Sequence, residues 1–235
     1  MESISDNALN EMSGAEPGEF DEFSEFDEFD DEQMIEIYDP ISGYNRFMTR
    51  VNDNIYVWVF KPIAKGYCFI VRKPIRLALG RMYANGLYPV NFVNNLLQLK
   101  PKRAAIVTGR FCINSTLGLA GLFDPAGGCM ELKPYPEDFG QTLGYYGVGS
   151  GPHIVFPLIG PSNARDAFGF LPDTFLRPTY YIGDFWTVVA ITVVDHFNTL
   201  SLYMDEYDAI RAEAIDLYIF QRDAYEMRRQ KAIEE

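Results

Sequence analysis

An all-α fold is what this 235-residue chain predicts, and three observations carry that reading. Apolar residues recur at helical spacing from Tyr44 onward, prolines stand where helices would begin, and no hairpin-turn signal separates two alternating strand patterns. The length suits one sizeable domain with a core of its own.

The first boundary is compositional. Residues 1–32 hold thirteen Asp and Glu and no Lys or Arg, so the formal charge of −13 belongs to them and the remaining twenty acids and twenty bases balance. Residues 1–33 read as an acidic, Phe-rich, disordered extension, because mutual repulsion opposes collapse and only Phe20, Phe23, Phe26 and Phe29 are worth burying. It serves either as a solvating tail or as a docking segment for a basic groove. Residues 34–235 read as a single domain.

Within that domain a first helix runs from Tyr44 to near Pro62, with Phe47, Val51, Ile55, Trp58 and Val59 close to helical spacing. A second follows Pro74, a third spans about Val90 to Leu99, and a fourth starts at Pro101, which suits a first turn, and ends near Asn114. Glycine then dominates. A short helix at Ser162–Phe168, with Ser162 as its N-cap, precedes two more, Tyr181 to about Leu200 and Asp208 to Gln230. The β-branched centre WTVVAITVV of the first of these could be a strand by composition, but nothing beside it supplies a partner.

A body balanced overall gives no net electrostatic footprint of the kind nucleic acid requires. Cys68, Cys112 and Cys129 lack CxxC spacing and read as small buried hydrophobes rather than a disulfide and a spare, and two histidines do not make a zinc cluster. The N-terminus lacks the pattern of a secretory signal, which fits a cytoplasmic protein or a chain already freed of its leader. The longest unbroken apolar run, Trp186–Val194, falls far short of the roughly 20 residues a spanning helix needs, so none is expected.

Residues 139–164 contain no charged side chain over twenty-six positions, yet glycine and proline punctuate them throughout. Glu137 and Asp138 read as a charged boundary to this run, and Arg165 with Asp166 as a helix-surface pair or cap. A hydrolase can be assembled on paper from His153, Ser162 and Asp166, but no G-x-S-x-G elbow is present. Glycines 147, 149 and 151 lack the strand before and the lysine after that a phosphate loop requires. What remains is physical: Leu143, Tyr145, Tyr146, Val148, Ile154, Val155, Phe156, Leu158 and Ile159 are too apolar for an ordinary loop, and belong under the protein, in a partner or in lipid. Irregular backbone reaches membrane depth only where protein or a wet cavity satisfies its amides, whereas amphipathic helices can lie in the interface.

Five ordered motifs sharpen this. DPISGYNRFM (39–48), NLLQ (95–98), RFCINSTLGLAGLFDPA (110–126), EDFGQTLGYYGVGSGP (137–152) and PLIGPSNARD (157–166) together resemble the MlaA family, also called VacJ, over residues 39 to about 180. The resemblance implies an all-helical ring of amphipathic helices lying in one membrane leaflet around a central channel, with a Gly/Pro-rich hairpin loop at its border. It implies an outer-membrane lipoprotein in the periplasmic leaflet of a Gram-negative bacterium, beside a trimeric porin. Such a protein withdraws mislocalised phospholipid from the outer leaflet and passes it to a periplasmic MlaC-like carrier, with phospholipid as ligand, no cofactor, no metal and no covalent chemistry.

On that resemblance Gly147, Gly149 and Gly151 become loop hinges, and Ile154, Phe156, Leu158 and Ile159 acyl-chain or membrane contacts. Asn45, Arg46, Asn52 and Asn54 on the first helix are candidates for the polar path a headgroup needs, since moving a charge through hydrocarbon costs several kcal/mol or more. The lipoprotein signal with its modified cysteine is missing from this chain, and the acidic extension is foreign to the family core. The alternative is a helical envelope scaffold that binds a porin or other partner, with lipid incidental.

Overall fold

A computed structural model of the chain describes residues 37–235; the acidic extension with its four phenylalanines lies outside the described residues. Helices α1 (Ser42–Ile55) and α2 (Lys61–Ile70) are joined by a π-helical turn, Tyr56–Phe60, into one continuous rod. The expected stop at Pro62 is not there. Proline interrupts a helix because it lacks an N–H and its ring crowds the carbonyl four residues back. Here the widened turn, in which the Lys61 N–H reaches back five residues to the Tyr56 carbonyl, accommodates it, and Pro62 stands in the first turn of α2.

Helices α3 (Lys73–Gly86), α4 (Tyr88–Leu97) and α5 (Pro101–Thr116) each carry a proline in the first turn, as the sequence suggests. Short helices α6 (Pro125–Gly128) and α7 (Phe139–Tyr145) follow, the second inside the neutral segment. Strands β1 (His153–Phe156) and β2 (Gly160–Asn163) then form an antiparallel hairpin, His153 opposite Asn163 and Phe156 opposite Gly160. Periodicity missed these strands because GPSN has no apolar alternation and the turn Pro157–Ile159 has no Asn-Gly or Asp-Gly signal.

Helix α8 (Ala164–Leu176) is longer than expected and is capped by Asn163, whose side chain accepts the Asp166 N–H at 2.8 Å, while Ser162 lies in β2. A 3-10 turn, Pro178–Ile182, leads to α9 (Phe185–Glu213) and α10 (Leu217–Glu234). The break between the last two falls at Ala214–Asp216, later than the sequence suggests, where the Asp216 carboxylate accepts the N–H groups of Tyr218 and Ile219. The β-branched run is helical. Because α9 continues past Val194, its 29 residues are by length and composition long and apolar enough to cross a membrane, which corrects the expectation drawn from the unbroken run alone.

Packing is inverted. The largest fully buried side chains among the described residues are polar, His153, Gln98, Asn45, Asn94, Asn163 and Asn198 among them. Large apolar groups such as Trp58, Phe69, Ile159 and Trp186 are more than 70 % exposed. Among the described residues a compact apolar cluster lies where the rod crosses α9, at Tyr56, Ala64 and Met204. The cysteines depart from expectation too: all three thiols are free, Cys112 and Cys129 are exposed, and half-buried Cys68 accepts a hydrogen bond from Arg76 at 3.1 Å.

Helices α7 and α8 cross through two glycines. A Cβ on Gly169 would lie 2.5 Å from the Gly140 nitrogen, and one on Gly144 would lie 2.4 Å from Ile233 Cδ1 of α10. Gly66 of α2 faces open space. Gly169→Ala is therefore expected to lower stability by about 1–3 kcal/mol. Gly66→Ala should raise it by up to about 1 kcal/mol, since alanine restricts the unfolded chain. Urea unfolding of both variants in mild detergent checks the opposite signs.

Candidate functional site

The hairpin is held by two side chains of one helix. Asn45 Oδ1 accepts the Val155 N–H at 2.9 Å while its Nδ2 donates to the His153 carbonyl at 2.9 Å and to Asp39 at 2.8 Å. Two turns on, Asn52 Nδ2 donates to the Phe156 carbonyl and its Oδ1 accepts the Leu158 N–H, both at 2.9 Å. Seven helical residues rise about 10.5 Å and three strand residues about 10 Å, so asparagines spaced by seven meet backbone groups spaced by three. Their amides act as a surrogate strand along the free edge of β1.

This corrects the polar-path assignment for Asn45 and Asn52, whose amides are occupied by the hairpin; Asn45 is fully buried. Arg46 pairs with Asp216 and lies over the Tyr218 ring, 5.0 Å from its centroid. Asn54 is exposed. The four expected channel residues do not converge on one site.

The base of the hairpin is tied to α10. Fully buried His153 places Nδ1 3.0 Å from Glu226 Oε1, and Asn163, opposite it on β2, donates to Glu226 Oε2 at 3.1 Å. Ser162 Oγ faces the Asn163 carbonyl at 3.5 Å, so the structure does not bring His153 and Ser162 together as a nucleophile and base. Beneath them Arg229 grips Asp138 with two nitrogens at 2.6 and 2.8 Å and Asp166 at 2.9 Å; Tyr225 and Arg165 also donate to Asp166. Asp138 further caps α7, accepting the Gln141 N–H at 2.8 Å. Arg165 and Asp166 are thus a buried pair rather than a surface one, and Glu137, expected at a boundary, is buried against Gln98 at 2.7 Å.

Burial alone would push the Asp166 carboxyl up, but Arg229 and the hydrogen bonds from Tyr225 and Arg165 hold it below the usual carboxylate range. Asp173 goes the other way: burial raises it although the Phe139 N–H and Asn94 both donate to it. Glu226 and Arg229 escaped the sequence reading because α10 looked like a charged surface. The spacing Tyr218, Arg222, Tyr225, Arg229, at i, i+4, i+7 and i+11, marks one stripe and could have found them.

What the hairpin presents is apolar. Ile159 is 76 % exposed and Leu158, also exposed, adopts φ +67°, a left-handed conformation that costs a leucine about 1 kcal/mol. Ile154 and Phe156 are half-buried on the strand face opposite His153 and Val155. In the approach to the hairpin Gly147 (φ +84°) and Gly151 (φ +68°) occupy left-handed backbone that suits glycine, whereas Gly149 does not.

The family model for the MlaA lipoprotein matches residues 37–232. This chain belongs to the MlaA family. It is 33 % identical to the intermembrane phospholipid transport system lipoprotein MlaA of Haemophilus influenzae, over 83 % of this chain and 78 % of that one. The Escherichia coli MlaA is 31 % identical over 80 % and 75 % of the two chains. A solved structure reported as the structural basis for maintenance of bacterial outer membrane lipid asymmetry superposes with a TM-score of 0.75 at 32 % identity, covering 83 % of this chain and 98 % of that one. The MlaA architecture, helical with a ring-like arrangement, is therefore the architecture here, and residues 37–232 are the part of this chain that carries it.

Two outcomes are expected. Asn45→Ala, which strands buried partners, should destabilise by about 1–3 kcal/mol, and Asn52→Ala by less, while speeding amide exchange at Leu158. A carboxyl whose folded pKa is depressed contributes stability that is present above its unfolded value, about 3.9, and lost as pH falls through the folded one. Arg229→Met should therefore cost about 3–5 kcal/mol at neutral pH, and its deficit against wild type should shrink as pH falls below about 4 toward the depressed value at which Asp166 takes up its proton. Urea titrations at several pH values read both.

Proposed function

We propose that this protein is the phospholipid-transport component of an outer membrane. It withdraws mislocalised phospholipid from the outer leaflet through a central amphipathic channel and delivers it to a periplasmic carrier, maintaining lipid asymmetry. The observation that carries this reading is the inverted packing joined to the hairpin: polar groups fill the interior, while a rigidly bracketed loop holds Leu158 and Ile159 outward. In water such exposure would be a liability, and in the acyl region it is the stable arrangement. Membership of the MlaA family, whose named relatives belong to an intermembrane phospholipid transport system, supports it.

In mechanism, the protein does no covalent chemistry. A lipid changing leaflets needs a headgroup path and a way for its tails to leave the bilayer. Left-handed glycines at 147 and 151 let the approach to the hairpin bend, while the Asn45 and Asn52 amides keep β1 and its turn in register, so that the hairpin moves as a unit. Ile154, Phe156, Leu158 and Ile159 contact acyl chains, and Arg46 and Asn54, which retain exposure, are the members of the first-helix set available to headgroups. The periplasmic leaflet, a trimeric porin as neighbour and an MlaC-like carrier as acceptor complete the reading.

Mass spectrometry of lipid co-purifying with the chain is the test. Wild type is expected to carry phospholipid, and replacing Gly147 and Gly149 together by proline should change its amount or exchange rate several-fold. Leu158→Gly should relieve the left-handed strain, leave the fold intact and reduce lipid capture. A folded, detergent-free monomer without phospholipid would overturn the proposal and leave a scaffold.

A further inference from the structure

From Asn54 to Phe123 the chain holds ten Lys and Arg and no Asp or Glu. Much of that charge is answered from elsewhere in the fold: Lys61 by Asp208 at 2.7 Å, Arg110 by Asp124 at 2.7 Å, and Lys100 and Arg103 by Glu137 at 3.5 and 3.6 Å. Arg76 turns inward to the Ser201 carbonyl at 2.6 Å. At the corner where α2 meets α3, Lys65, Arg72 and Lys73 are exposed, with Lys65 also within the field of Asp208, which pairs directly with Lys61.

Between these cations stand large apolar groups. Phe69 is 93 % and Ile70 80 % exposed, and Ile75 is exposed as well. Pro62, Lys65 and Phe69 lie at i, i+3 and i+7 of α2, one exposed stripe that Trp58 extends by a turn. Aromatic and aliphatic side chains interleaved with cations, with no acid on the same elements, match an interface whose surface is anionic and whose depth is apolar. A folded protein partner would ask for acids to be placed against each cation; a bilayer asks only for the two layers.

We infer that the α2–α3 corner seats on anionic bilayer phospholipid, with headgroup phosphates against Lys65, Arg72 and Lys73 and with Phe69 and Ile70 in the acyl boundary. This deepens the proposed function and rests on it: the corner is a second, charge-selective membrane contact apart from the hairpin. Because the Debye length is about 10 Å at 0.1 M salt, the corner acts locally although the whole chain is acidic.

The test is flotation of the full chain with vesicles of phosphatidylcholine alone and with phosphatidylglycerol added, at low salt and at about 1 M salt. At low salt wild type should prefer the anionic vesicles, at roughly fivefold per cation and on the order of 100-fold for three, and high salt should erase the preference. Lys65→Gln, Arg72→Gln and Lys73→Gln together should abolish it while leaving phosphatidylcholine binding unchanged, and Lys65→Arg with Lys73→Arg should retain it. A preference that survives the triple variant, or equal wild-type binding to both vesicles, overturns the inference. Failure of the transport reading is separately visible as absence of co-purifying phospholipid.

A site-specific reporter, Phe69→Trp with Trp58→Phe and Trp186→Phe, should shift to the blue when anionic vesicles are added. Emission already blue without vesicles, and red-shifted by deleting residues 1–32, would make the acidic segment of this chain the occupant and overturn the bilayer as one.

Discussion

The double grip of Arg229 on Asp138 and Asp166 is the interaction on which the rest of the described structure depends. It joins the cap of α7, the first turn of α8 and the last helix at one buried point. Breaking a buried pair of this kind leaves uncompensated charge, which costs far more than the pair contributes when intact. The carboxylates also satisfy helix-terminal N–H groups or lie beside them, so each does two tasks: Asp138 caps α7, Asp173 accepts the Phe139 N–H, and Asp166 takes Tyr225 and Arg165. Glycines at 140 and 169 bring the helices close enough for one arginine to span both.

An apolar core could not serve the same end. With Trp58, Phe69, Ile159 and Trp186 turned outward, little large hydrocarbon is left for the interior, and directional polar contacts specify the packing instead. Asp173, Asn94, Thr142, Gln98 and Glu137 form one such chain across α8, α4, α7 and the segment just before α7, each bonded to the next at 2.7–3.2 Å. The apolar cluster around Tyr56, Ala64 and Met204 is small and local to the rod and α9, with the Tyr56 hydroxyl, raised chiefly by burial, reaching Asp208.

The hairpin shows how polar fixation and apolar exposure work together. Four backbone groups of β1 and its turn are satisfied by two asparagine amides, and His153 and Asn163 close the base on Glu226. With its edge paired by side chains rather than by a third strand, the hairpin needs no sheet behind it and can stand free at its tip. Strain at Leu158 is tolerated because the surrounding contacts over-determine the turn.

Local chemistry made much of this legible in the sequence. The helical spacing around Phe47 to Val59, the prolines at 74 and 101, and the charge-free, glycine-punctuated run from Phe139 to Ala164 fixed the fold class, most element starts and the place of the loop. What the sequence hid were facts about neighbours. Asn45 and Asn52 read as a polar helix face because an amide carries no sign of whether it meets water or backbone; only folding back through more than a hundred residues placed β1 against them. Pro62 read as a stop because the π turn that absorbs it is a tertiary accommodation, and the helix read as ending near Leu200 because nothing local shows that Asn198 and Ser201 find partners, the Arg76 carbonyl, Tyr67 and the Arg76 guanidinium, on other helices. Periodicity reports which side chains share a face; what that face touches, and therefore whether polar means wet or buried, is decided by long-range contact alone.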